Sequence, residues 1–347
     1  MNRLPLCLAL LALVFAGVPA FGEKTSVADE GSATLAYRTH RDFKLILPKE
    51  TFRPVGAKID LSSCLSKSFA TKLEGTALLL DSNGDGTLDV RAEGESALVT
   101  FRGKNAAGDP ATYSVRLVNR SGWKYAASGV VAGTVGSTKV RILDANGNGS
   151  YADYGVDAMF VGRGHHAQHL SKAMHVGGKL YSIDVAKDGA KVTWRPFSGK
   201  TGTLDLSDCE TKAKVLSVVV TSVDGDYSFD MAKHDGPTVV PAGRYELTAG
   251  ELGLGDNRLK LRAGRAKAIE VGGEAPQVVA WGGPVTAAFR YRRVGAEVRM
   301  APEDVWYHGR AGEEYHSWFP TGQSPTFRIS NRKNGREIAT AFFPGST

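Results

Sequence analysis

The sequence predicts an all-β protein, a multi-domain set of antiparallel β-sandwich modules with few short helices. Three observations carry this. Short runs of β-branched and apolar residues recur between Gly, Asp and Asn turns. Glycine is abundant, 41 of 347 residues, as a chain with many tight turns requires. Almost no stretch sustains the 3.6-residue apolar period of a helix. A chain of 347 residues is too long for one small core, so two or three domains are expected.

Residues 1–22 read as a secretory leader. Arg3 gives the positive start, Leu4 to Val18 the apolar core, and Ala20-Phe21-Gly22 the small-residue cleavage site, with a cut after Ala20 as the alternative. The apolar run is too short and wrongly flanked to span a bilayer, and no later run is long enough. Cys7 lies inside the run with no small residues before it, which argues against a lipid anchor. An exported, periplasmic or extracellular protein without a membrane span is expected.

Candidate strands follow in order at Thr76 to Leu80, Ala97 to Phe101, Thr112 to Val118, Lys139 to Leu143, Lys179 to Val185, Lys191 to Trp194 and Val215 to Thr221. Ala186 to Ala190 is a hairpin turn, its Asp188-Gly189 supplying the positive φ. The short helical candidates are His165 to Met174 and Ser66 to Leu73. Seams near 199–202 and 282–284 divide the mature chain into an N-terminal β-rich domain (23–199), a central sandwich (200–284) and a small C-terminal β-module (285–347), immunoglobulin-like in outline. In that last module, Val285 to Tyr291, Ala296 to Met300, Thr326 to Ile329 and Glu337 to Phe343 are the expected strands.

Between the seams lies Pro241-Ala242-Gly243-Arg244-Tyr245-Glu246-Leu247. With Val239 and Val240 before it, this string resembles the last strands of prealbumin-like modules such as carboxypeptidase regulatory domains. The resemblance implies a Pro-Gly turn that sends Tyr245 and Leu247 inward on alternate positions. Ile59-Asp60-Leu61-Ser62-Ser63-Cys64 recurs as Leu204-Asp205-Leu206-Ser207-Asp208-Cys209, an echo that either duplication or chance explains.

The formal net charge of +7 is spread along the chain, which suits solubility and argues against a nucleic-acid partner; a protein or glycan partner fits an exported protein better. Cys64 and Cys209 survive cleavage. They either form a disulfide, worth about 3–5 kcal/mol on the chain-entropy model, or pack as two buried free thiols.

Two segments carry the opening of a calcium loop, Asp-x-Asn-x-[Asp/Asn]-Gly. Asp81, Asn83 and Asp85 would be side-chain ligands of the first, with the Thr87 carbonyl and Asp89 completing it. Asp144, Asn146 and Asn148 open the second, with the Ser150 carbonyl and then Asp153 or Asp157 arriving late. Both lack the bidentate acid of an EF-hand at the twelfth position, which is Ala92 or Gly155. Both are flanked by strand-like runs, so structural calcium of modest affinity is the expectation, against ordinary polar hairpin turns. Asp81 to Asp89, with three carboxylates, is the better expected site.

His165, His169 and His175 offer an alternative zinc set, because His165 and His169 would share a face if helical. No Glu stands between them to make a His-Glu-x-x-His protease. Glu313 and Glu314, between His308 and His316, are a second carboxylate–histidine cluster, expected to lie in a loop over Tyr307, Tyr315 and Trp318. No nucleophile elbow or phosphate loop occurs. With a leader, half-EF-hand loops and the string Gly309-Arg310-Ala311-Gly312-Glu313-Glu314-Tyr315, the chain resembles exported β-rich proteins of environmental bacteria, a resemblance that implies no particular activity. The expected function is therefore noncatalytic, in binding or envelope architecture. The alternatives are a zinc hydrolase and a carbohydrate-binding module with Trp123, Trp194, Trp281 or Trp306 as platforms.

Overall fold

The computed structural model describes residues 30–41, 47–295, 297–317 and 326–342. The expected leader and Trp318 lie outside the described residues. Strand accounts for 55% of the structure and helix for 3%, so the protein is all-β, in several sheets that are almost entirely antiparallel.

The first half is layered around a central sheet ordered Gln168–His169, Ala158–Val161, Thr138–Leu143, Gly129–Val135, Ala36–Thr39. Its residues alternate between two cores because strand side chains alternate between faces. Val131, Val140, Ile142 and Met159 face a core shared with the sheet of Gly31–Thr34, Lys191–Pro196, Lys179–Val185 and Ala173–Val176. Val130, Leu143, Ala158 and Phe160 face the other core, built with Ser96–Lys104, Pro110–Asn119 and Trp123–Ala127. A sheet covered on both sides explains why "VRIL" and "AMFV" are apolar at nearly every position. A smaller sheet, Lys58–Leu61 to Val90–Ala92, closes the second core; Phe69 and Phe101 meet there with ring centroids 4.7 Å apart. Burying each of those rings contributes about 2–3 kcal/mol.

Both expected helices are extended chain. Ser66 to Leu73 falls largely in the strand Lys67–Glu74, which pairs on both sides and buries Phe69 beside exposed Ser68. The only α-helix among the described residues is the turn Ser62–Leu65, ended by Ser66 at φ 55. His165 to Met174 is drawn out by strand pairing, Ala158↔His169 and Ala173↔Ser182. Gln168 locks that course by donating to the Ser228 carbonyl and accepting from the Asp230 N–H. The hairpin at Ala186 to Ala190 is as expected, with Gly189 at φ 70 and the Ala190 N–H on the Asp188 carboxylate at 2.9 Å.

In the second half Thr201–Asp205 and Thr238–Pro241 share one core with an eight-stranded sheet, and Gln277–Val278 pairs in parallel with Thr201–Asp205. Tyr245 and Leu247 point into that core, as the alternation predicts, and the Tyr245 hydroxyl donates to the Pro241 carbonyl at 2.8 Å. The seam expected at 282–284 does not divide the pairing. Glu314–His316 pairs with Asn257–Arg262, and Val305–His308 and Thr286–Phe289 extend the same sheet. Thr286–Phe289, Val305–His308 and Glu314–His316 therefore finish the eight-stranded sheet rather than begin a module of their own; Arg292–Val294 with Glu297–Arg299, and Thr326–Ser330 with Glu337–Phe342, are two separate hairpins. Among the described residues no helix is long and apolar enough to cross a membrane.

Candidate functional site

The two acidic loops share one backbone design. Asp81 to Asp89 leaves the strand Ala77–Leu80, and Asp144 to Asp157 links Thr138–Leu143 to Ala158–Val161. The fourth and sixth positions of each loop are left-handed: Gly84 and Gly86 at φ 75 and 91, Gly147 and Gly149 at φ 66 and 84. A Cβ at Gly149 would overlap the Ser63 carbonyl, so that glycine also permits close backbone approach.

The side-chain oxygens are held at the same offsets in both loops. The first-position aspartates accept from the sixth-position N–H, Gly86 to Asp81 at 2.9 Å and Gly149 to Asp144 at 2.8 Å. Asn83 accepts from the Asp85 N–H at 2.9 Å, and Asn146 from the Asn148 N–H at 3.1 Å. Asp85 accepts from the Thr87 N–H at 2.7 Å, and Asn148 from the Ser150 N–H at 2.8 Å. A basic side chain also clasps a carbonyl of each loop, Lys67 on Gly84 at 3.0 Å and Arg53 on Asn146 at 2.7 Å.

The loops differ in how they close. Asp89 is exposed and turns both oxygens to Ser82, accepting from its N–H at 2.7 Å and its hydroxyl at 2.8 Å. The Ser82 N–H first, and then its hydroxyl, hold Asp89 below the usual carboxylate range, as the Thr87 N–H does for Asp85. In the second loop Asp144 and Asp157 are both 0% exposed. Asp157 accepts from the Ala145 N–H at 3.0 Å and the Asp153 N–H at 3.1 Å. Asp153 accepts from the side-chain amides of Asn146 and Asn148, at 2.8 and 2.6 Å. Burial pushes Asp157 up to about 8, with the charges of Asp144 and Asp153 adding to it against the backbone bonds. Burial raises Asp144 as well, although Gly149 N–H and the Tyr113 hydroxyl oppose it. Burial also acts upward on Asp153, but the two Asn amides hold it below its ordinary value.

The missing twelfth-position acid has a structural reason. Gly155 sits at φ 73, and a Cβ there would lie 2.7 Å from the Gly225 carbonyl of the second half. No side chain fits, and the late acid arrives two residues on, as Asp157. The loops thus differ in burial: the second buries Asp144 and Asp157 and half-buries Asp153, whereas the first buries Asp81 and leaves Asp85 and Asp89 exposed.

The histidines do not assemble. His165 lines a surface pocket with Arg38 and Arg163, His169 lies on the edge of the central sheet, and His175 Nε2 donates to the Val239 carbonyl at 2.8 Å while its ring meets that of His234 at 4.6 Å. Extended chain has separated residues that a helix would have aligned. Burial lowers His169 and His175, and drives His234 down to about 4 with His175 and Lys233 adding. Sequence spacing contains no signal for the His175–His234 contact. Among the described residues no three His, Cys, Asp or Glu side chains form a metal-binding group, so an ion in either loop would need Asn and backbone oxygens as well.

Cys64 and Cys209 are free thiols, one packed on a core of the first half and the other on the core of the second, so the bridge does not form. Burial pushes them to about 11 and about 12, too high for thiolate chemistry. The two copies of the echo do share a turn: Asp60 accepts from the Ser62 N–H at 3.0 Å and Asp205 from the Ser207 N–H at 2.8 Å.

Glu313 is a fully buried anchor. It accepts from the Gly282 N–H at 2.7 Å, the Tyr315 hydroxyl at 2.8 Å and the Ala311 N–H at 3.1 Å, while Gly309 leaves room for its carboxylate. Glu314 pairs with Arg262 at 2.7 Å. Trp123 and Trp281 are buried, donating to the carbonyls of Thr76 at 3.0 Å and Leu206 at 2.7 Å, which removes both as exposed platforms; Trp194 and Trp306 are half-buried. No protein-family model, curated protein or solved structure matches the chain.

Proposed function

We propose that this is a noncatalytic, exported binding protein whose Asp144–Asp157 loop holds a structural calcium ion. The observation that supports the reading is one glycine-shaped loop that holds two wholly buried carboxylates, Asp144 and Asp157, and a third, Asp153, bound by the side-chain amides of Asn146 and Asn148. Two like charges out of water repel, and a hard divalent cation relieves that repulsion while taking amide and carbonyl oxygens to fill its shell. The leader motif supports export, where calcium is plentiful enough for a modest-affinity site. A structural ion there would tie the central sheet to the Gly155–Gly225 contact between the halves.

Calcium titration of the mature protein, with heat of binding and melting followed together, tests this. At a hundred times the dissociation constant the ion adds about 2.7 kcal/mol to stability. Asp157→Asn should abolish the response and Asp89→Asn should leave it. No response of the unaltered protein to millimolar calcium would sink the proposal.

A further inference from the structure

A groove of about 860 Å³ runs between the outer sheet of the first half and the turn that precedes Ser228–Asp230 in the second. Four of its thirteen lining residues are aromatic, in a chain that is 9% aromatic: Tyr154, Trp194, Phe197 and Tyr227. All four are half-buried, so each leaves part of its ring toward solvent. The Trp194 indole lies over Gly31 of the neighbouring strand, where a Cβ would come within 2.5 Å of the ring. Phe197 and Tyr227 meet edge to face across the two halves, at 6.1 Å and 82°. Asp184 and Arg195, both exposed, also line the groove, and the Asp184 carboxylate accepts from the Tyr154 hydroxyl at 3.4 Å.

We propose that this groove binds a pyranose oligosaccharide, and that the Asp144–Asp157 loop positions its wall. A pyranose ring has an apolar C–H face and a rim of hydroxyls. A groove lined by aromatic residues together with acidic, basic and hydroxyl ones matches both, whereas a purely apolar ligand would strand the polar ones. The link to the loop is covalent and local. Tyr154 follows Asp153, whose N–H is held by Asp157 at 3.1 Å, and the Tyr154 hydroxyl accepts from the Val185 N–H at 3.0 Å. The opposite wall is joined at the same place: Gly155 packs on Gly225, and Lys172 bridges to Asp226 at 2.7 Å. An ion held by Asp153 and Asp157 fixes Tyr154 against both walls. That second part rests on the calcium reading; the groove does not.

The test uses the mature chain in millimolar calcium with cellohexaose and chitohexaose, read by tryptophan fluorescence and titration heat, and with insoluble cellulose and chitin in co-sedimentation. The first pair reports a free oligosaccharide and the second a wall polymer. Binding to either form, weakened about tenfold by Trp194→Ala and also by Arg195→Ala, supports the groove; Arg195 is exposed, so its variant folds even if the tryptophan variant does not. Binding to neither form, or equal binding by both variants, overturns it. Chelation of calcium and Asp157→Asn should each weaken binding several-fold. If calcium binds by heat and neither change affects the glycan, the link is refuted. If glycan binds and calcium does not, the calcium reading has failed and the groove stands.

Discussion

Replacing Gly155 by Ala isolates the contact that joins the second acidic loop to the other half of the molecule. Two costs add. The residue is at φ 73, where a Cβ raises the energy by about 1–2 kcal/mol. The new Cβ also meets the Gly225 carbonyl oxygen at 2.7 Å and its carbon at 3.3 Å, and both partners are backbone. Relieving such an overlap costs about 1–3 kcal/mol, as overpacking does elsewhere. Gly94 supplies the matched control: its φ is 75 and nothing lies within 4 Å of its Cβ position. Gly94→Ala should therefore lose about 1 kcal/mol and Gly155→Ala about 3 kcal/mol, a gap of about 4–8 °C in melting for units of this size. Urea unfolding and thermal melting of the two variants side by side provide the measurement. Equal losses would refute the tight approach, and with it the explanation for the absent twelfth-position acid.

Two further outcomes follow from buried groups. Glu313→Ala strands the N–H groups of Gly282 and Ala311 and the Tyr315 hydroxyl, so urea unfolding should show a loss of about 3 kcal/mol; a change under 0.5 kcal/mol would contradict the anchoring role. His234 has a folded value near 4, depressed by burial first and then by His175 and Lys233, against 6.5 in the unfolded chain. The unfolded state thus binds the proton first as pH falls. Stability is fully present above pH 6.5 and is lost between 6.5 and 4, by about 1–2 kcal/mol after allowing for partial exposure. His234→Gln should flatten that limb of the melting-against-pH curve; an unchanged limb would remove His234 as its cause.

Much of the fold was legible because strand signals are local. The run Lys179 to Val185 and its Asp188-Gly189 turn are strand and hairpin as read, since alternation and a positive-φ glycine act within a few residues. The helical readings failed where tertiary pairing overrode a short polar pattern, as at His165 to Met174, whose course is set by Gln168 reaching the other half. The seam at 282–284 misled for a related reason: glycines there serve close approach, with the Gly282 N–H on Glu313, and not a linker. The half-motif loops were legible as motifs. Which one buries two acids was not, because the second loop packs against Ser63 and Gly225, residues far away in sequence.

The crossing of residue 284 by the large sheet has a consequence for how the chain can be cut. Asn257–Arg262 is hydrogen-bonded on both sides, by Gly243–Leu254 and by Glu314–His316, and Leu261 lies opposite Tyr315. A fragment ending at 284 would turn that interior strand into a bare edge, with Leu261 uncovered and a row of unpaired amides offered to any passing β-strand. Sticky edges of this kind recruit other copies into aggregates. The C-terminal strands therefore act as a guard rail for Asn257–Arg262: they move the sheet's edge outward to Thr286–Phe289.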